Sequence, residues 1–167
     1  ARLSQSFRLT KQVQLEDALK HFYMWEQAGR TPTLESLAGR LTISTDDAAK
    51  LVTRLTESDF VYPGREGLTL TTLGRESALR LVRTHRLWER YLADRTGVPA
   101  AEWHDEAEIM EHSLSAEQTD ALSARLGHPR WDPHGDPIPT ASGELPEVEQ
   151  LSLGLAPLGI ALEVVHL

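Results

Sequence analysis

Histidines and carboxylates fall at helical spacing in two stretches of this chain: His85 with Glu89, and His104 with Glu108, Glu111 and His112. Side chains four apart on a helix share one face, so each stretch would set imidazole beside carboxylate. Together those groups are the ligand set of a borderline or hard divalent cation. An acidic helix face is ordinarily solvated surface, but such a face mixes signs to gain pair energies between neighbouring turns. Between Pro99 and Asp120 there are seven acidic residues and no Lys or Arg. Like charges about 4 Å apart repel by roughly 4 kcal/mol at an effective dielectric near 20, so this concentration calls for a cation or for protonation.

The elements that must carry these groups are legible from apolar spacing. Arg75 to Leu92 reads as a helix, and in the second stretch Trp103, Ala107, Met110 and Leu114 form an apolar stripe with His104, Glu108 and Glu111 directly beside it. Upstream, Leu15, Leu19, Phe22, Tyr23 and Trp25 give a helical pattern ending near Gly29. Thr33 can cap a short helix through Leu41; it lacks the acidic partner of a full capping box, while Glu35 in the first turn suits the helix dipole. Residues 42–45 break the chain before a helix from Asp46 to Glu57, with Asp46 able to serve as its N-cap. Phe60 to Tyr62, a turn over 63–67, and Leu68 to Leu70 read as strand, turn, strand. Helix, short turn, helix, then hairpin is the pattern of a winged helix-turn-helix.

Composition narrows the function classes. The 167 residues are 40% hydrophobic, ample for a core, and no apolar run approaches the 18 or so residues of a membrane span. No signal peptide is visible, so the expected location is the cytoplasm. The absence of cysteine excludes disulfides and thiolate metal sites, leaving oxygen and nitrogen as ligands. The net charge of −8 is uneven: residues 1–75 carry ten basic and nine acidic side chains, and residues 76–167 carry seven and sixteen. The near-neutral first half gives charge-based support to DNA binding only weakly. A metal-dependent hydrolase is disfavoured, since there is no His-Glu-x-x-His signature, nucleophile motif or Gly-rich phosphate loop.

Five blocks in order carry a family resemblance: Leu37-Ala-Gly-Arg-Leu-Thr-Ile-Ser, Leu68-Thr-Leu-Thr-Thr-Leu-Gly-Arg, His85-Arg-Leu-Trp-Glu-Arg-Tyr-Leu, Trp103-His-Asp-Glu-Ala-Glu-Ile-Met-Glu-His, and His128-Pro-Arg-Trp-Asp-Pro-His-Gly-Asp-Pro-Ile-Pro. Over about residues 14–140 the chain resembles the metal-dependent repressors of the diphtheria-toxin-repressor family, which includes the manganese regulators. The resemblance implies a mainly α fold, with a winged helix-turn-helix domain at 8–75 and a helical metal-binding and dimerisation domain at 76–140. Residues 141–167 would be a linker and the start of a truncated C-terminal β-barrel, its first strand the alternating run from Ile160 to Leu167. The implied function is that of a non-enzymatic, metal-activated transcriptional regulator, acting as a homodimer on operator DNA.

The resemblance also divides the ligands into two sites. The primary one would use Asp17 with Glu108, Glu111 and His112, and the ancillary one His85, Glu89 and His104. Asp17 and Glu108 stand where iron-type members have methionine and cysteine, so the primary set resembles the manganese type. Mn²⁺ or Fe²⁺ is the expected cofactor, while Zn²⁺, Co²⁺ and Ni²⁺ bind more tightly than Mn²⁺ at equal geometry. The manganese subgroup's further first-helix glutamate falls at Lys20, so that subgroup's own two-metal cluster is not expected. His21 is read as a helix surface residue, and His128 and His134 as holding the Pro-rich loop by hydrogen bonds.

Ser44, Lys50, Arg54 and Arg65 are the candidate DNA contacts. Family members usually open the reading helix with small, proline or hydroxyl residues, whereas this chain has Asp46 and Asp47 there, facing phosphate charge. The chain begins at Ala1 with a basic lead-in and reads as a piece of a longer protein. Similar repressor-like segments occur fused behind the membrane part of metal-transporter permeases. A cytosolic metal-sensing domain of a transporter, with a membrane domain on the same chain and weak or no DNA binding, is therefore the alternative reading.

Overall fold

Apolar residues three and four apart wind the first half of the chain into helices whose inner faces share one core. In this computed structural model, residues 2–147 are described except Glu66, and for residues 2–10 the backbone alone. The alternating run from Ile160 to Leu167 lies outside the described residues. The chain divides into two compact units, Ala1–Val82 and Arg83–Leu167. Among the described residues the fold is mainly helical with one small antiparallel sheet.

The first unit contains α1 (Arg2–Gln27), α2 (Leu34–Leu41), α3 (Thr45–Glu57), β1 (Val61–Pro63), β2 (Leu68–Leu70) and the opening of α4 (Thr72–Arg95). Phe22, Leu37, Leu55 and Val61 are fully buried at its centre, each contributing about 1.5–3 kcal/mol by leaving water. The hairpin pairs Val61 with Leu70 and Pro63 with Leu68, and Gly64 N–H closes its turn on Gly67 O at 2.6 Å. Glu26 of α1 ties the hairpin down, accepting from Leu70 N–H at 3.2 Å and pairing with Arg75. Gly74 lets α4 start against this corner, because any side chain there would overlap the Phe60 carbonyl.

Three local expectations are corrected in this unit. Thr33 does form a full capping box on α2, with Ser36 as the reciprocal partner in place of an acid: Thr33 Oγ1 accepts from Ser36 N–H at 3.2 Å and Ser36 Oγ from Thr33 N–H at 3.0 Å. The N-cap of α3 is Ser44, which accepts from Asp47 N–H at 3.1 Å, so Asp46 lies inside the first turn. His21 is not on the surface: it is 6% exposed, with Nε2 3.0 Å from Ser36 Oγ. Contact between α1 and α2 covers a position that α1 alone would leave wet.

The second unit contains the remainder of α4 from Arg83, a short 3₁₀ turn (Ala100–Glu102), α5 (Trp103–Glu111) and α6 (Ala116–Arg125). Leu114, expected on the α5 stripe, falls beyond that helix's end and packs in a small core around Leu87, Leu122 and Ile138. The helix α6 was not anticipated; Ser115 and Gln118 cap it reciprocally. The Pro-rich segment after α6 folds back on α4, where Arg83 donates to Pro139 O at 2.9 Å and Arg86 to Pro137 O at 2.5 Å. Asp132 holds its bend by accepting from His134 N–H at 2.8 Å and Asp136 N–H at 2.9 Å. His128 bonds Ser123 Oγ at 3.3 Å, the loop-holding part expected of it.

Candidate metal centre

Four residues of α4 and α5 meet inside the second unit. Two α4 positions one turn apart supply His85 and Glu89, both buried, and the start of α5 brings His104 over them. His85 Nε2, Glu89 Oε1 and His104 Nδ1 stand between 3.1 and 3.4 Å from one another. Two ligand atoms on bonds of about 2.1 Å lie that far apart when they meet at roughly 100°, so the spacing suits one face of a coordination polyhedron.

The atoms behind the triad fix which nitrogen faces inward. His85 Nδ1 lies 2.6 Å from Glu111 Oε2 at the end of α5. A carboxylate accepts, so the proton belongs on Nδ1 and Nε2 turns a lone pair toward Glu89 and His104. His104 is placed the same way, with Nε2 3.4 Å from Glu108 Oε1 on its own helix and Nδ1 toward the triad. Three electron-pair donors that face each other need a proton or a cation between them. Their types, two imidazoles and a carboxylate, fit a divalent transition metal, and carboxylates behind the imidazoles are the usual second set of contacts at such sites.

Burial pushes the Glu89 carboxyl up, but the histidines around it, His85 first and then His134 and His104, outweigh burial in their protonated forms and hold Glu89 below the ordinary carboxylate range; a cation between the three donors would act in the same sense. His134, which the spacing argument had left outside, brings Nε2 to 3.9 Å from Glu89 Oε1 from the surface side. Its neighbour Asp132 is buried, and burial raises its carboxyl against the backbone bonds it accepts. Loop residues have no periodicity; the only sequence signal for His134 was its place in the block ending Asp-Pro-Ile-Pro.

The remaining expected residues lie as follows. His112 caps α5, with Nε2 3.7 Å from Glu111 Oε1. Glu111 is 4% exposed. Asp17 is half-buried on α1 of the first unit, beside the core residues Ala18 and Leu19, with Lys20 one turn on. Ser44 and Lys50 are exposed on α3, Arg54 is half-buried there, and Arg65 is exposed in the hairpin turn. Asp47 engages two of them: Ser44 Oγ donates to Oδ2 at 2.8 Å and Lys50 Nζ to Oδ1 at 2.9 Å. Those two bonds, Lys50 first, keep the Asp47 carboxyl below its ordinary range.

The chain is similar to known proteins. Residues 71–140 match the family described as iron dependent repressor, metal binding and dimerisation domain. The iron-dependent repressor IdeR of Mycobacterium leprae is 37% identical over 122 residues, which are 72% of this chain and 53% of IdeR. The manganese-activated repressor ScaR superposes with a TM-score of 0.73 at 30% identity, over 84% of this chain and 68% of its own. This chain belongs to the family of metal-dependent repressors. The chain is also similar to a protein described as a probable metal transport system membrane protein of Chlamydia trachomatis, 45% identical over 71 residues, 42% of this chain and 16% of that protein. The chain spans about half the length of the curated repressors it matches. ScaR has been solved with bound Zn²⁺ and with bound Cd²⁺. Among the described residues no helix is long and apolar enough to cross a membrane.

Proposed function

We propose that this chain is a metal-activated transcriptional regulator that binds operator DNA as a homodimer. The observation that carries the reading is the convergence of His85 Nε2, Glu89 Oε1 and His104 Nδ1, with each imidazole backed by a carboxylate. These three residues are the ancillary site. The primary site is Asp17 with Glu108, Glu111 and His112, a set of oxygens and one imidazole that suits Mn²⁺ or Fe²⁺. A bound cation supplies the charge that lets these carboxylates lie together. Asp17 is carried by α1, in the unit with α2, α3 and the hairpin, so its ligation would order that unit, and metal-free carboxylate repulsion would leave it loose.

Residues 8–75 are the reading domain under this proposal, a winged helix-turn-helix with α3 in the major groove and the β1–β2 turn as wing. Ser44, Lys50, Arg54 and Arg65 face the phosphates. Residues 76–140 hold metal and dimerise. A second copy would cover the half-buried apolar surface of the second unit, where Trp88, Tyr91, Leu114 and Leu126 pack against the buried Leu87, Leu122 and Ile138 and Ile109 is 63% exposed. The role is regulatory, not catalytic, and its expected place is the cytoplasm.

A gel-shift titration against the promoter of its own operon, run anaerobically with and without Mn²⁺ or Fe²⁺, tests the reading. Metal-dependent retardation at moderate salt is the expected result, and equal migration in every lane refutes it. Asp46, Asp47 and the similarity to a membrane transport protein favour one other reading, a cytosolic sensing domain of a metal transporter. That domain would bind metal and leave DNA alone.

A further inference from the structure

We propose that Glu111 is a positioning residue for the His85–Glu89–His104 centre, so that one buried hydrogen bond joins this centre to the primary one. The inference rests on the metal-site reading above and adds a coupling between the two sites.

Neutral imidazole carries one proton, and only the form with hydrogen on Nδ1 offers Nε2 as a ligand. Glu111 decides the form of His85. Its Oε2 lies 2.6 Å from Nδ1, and with only 4% of the residue exposed it has no solvent to turn to. Glu89 Oε1 cannot take over the task, because it stands 3.2 Å from the other nitrogen, on the ligand side. The other oxygen of Glu111 lies on the His112 side, with Oε1 3.7 Å from Nε2. One carboxylate thus belongs to the primary set through one oxygen and orients the ancillary set through the other.

The consequence is reciprocal. An ion on His85 Nε2 makes Nδ1–H a stronger donor, which holds Glu111 in the orientation the primary set uses. Glu111 held by the primary set likewise favours the His85 form that the triad needs, and coupling of affinities must run both ways.

The test separates Glu111 as orienter from Glu111 as primary ligand. In a His112→Ala background the primary site is disabled, and Co²⁺ titration followed by its absorption bands reads the triad; adding His104→Ala should abolish that signal. Adding Glu111→Leu instead should weaken triad affinity by about ten- to a hundredfold, although Glu111 is not a triad ligand. Glu111→Gln retains an acceptor oxygen for Nδ1–H and should fall between the two. Equal Co²⁺ affinity in the Leu, Gln and Glu forms would overturn the coupling and leave the site standing. A titration insensitive to His104→Ala would overturn the site and the coupling with it. Histidine ¹⁵N NMR of the unsubstituted, metal-free chain gives a check that needs no core substitution: His85 should carry its proton on Nδ1, and a proton on Nε2 would contradict the proposal.

Discussion

Carboxylates at the α4–α5 cluster are shielded from water and face imidazoles, whereas the two that open α3 stand in solvent beside a lysine and a serine. Glu89 and Glu111 are 3% and 4% exposed. A carboxylate at that depth is costly unless an opposite charge or several donors attend it, so the fold has committed both groups to what they touch. Asp47 carries no such commitment: its partner Lys50 is also exposed, and an exposed pair of this kind contributes little to stability. Under the proposed function, buried acids would define what the second unit binds, and exposed acids on α3 would set how strongly the first unit binds something already negative.

The largest effect should come from the buried side. Glu108→Ala combined with His112→Ala should lower affinity at the primary site by more than about a hundredfold in calorimetric Mn²⁺ titration, and unchanged affinity would place the site elsewhere. On the exposed side the effect should have the opposite sign. Replacing Asp46 and Asp47 by Asn and Ser should tighten operator binding on the order of tenfold in fluorescence anisotropy and steepen its salt dependence; no change would mean that α3 does not meet phosphates.

Two smaller effects probe the frame that holds α3. Burial first, then Arg40 and Arg30, lowers the pKa of His21 from 6.5 to about 4. The unfolded chain therefore takes up this proton first, so the stability due to neutral His21 is present above pH 6.5 and is lost as pH falls toward about 4. The thermal midpoint should drop across that window in the unsubstituted chain and drop less in His21→Gln. Thr42, a β-branched residue, holds a left-handed backbone (φ 53°) where α2 ends. Thr42→Asn should raise stability by about 0.5–1 kcal/mol in chemical denaturation, since asparagine tolerates that conformation better.

Much of the metal cluster was legible because helices repeat. The spacing of His85 with Glu89, and of His104 with Glu108 and Glu111, places each set on one face whatever the tertiary fold. What periodicity could not supply was contact between helices. The 2.6 Å bond from His85 to Glu111 joins residues 26 apart on two helices, a contact that spacing along the chain does not show. His134 arrives on a loop placed by arginine bonds to Pro137 and Pro139 carbonyls, which leave no trace in side-chain pattern. His21 was misjudged for the same reason, because α2 covers it. The Ser115–Gln118 capping pair was the one readable signal for α6.

We read the α4–α5 cluster as itself a metal centre, separate from the primary set. Counting bound Mn²⁺ from the EPR signal of the free ion tests this most directly. The expected count is two ions per chain for the unsubstituted protein and one after Glu89→Gln with His104→Ala. An unchanged count in that double variant, or no bound Mn²⁺ in the unsubstituted chain, would contradict it.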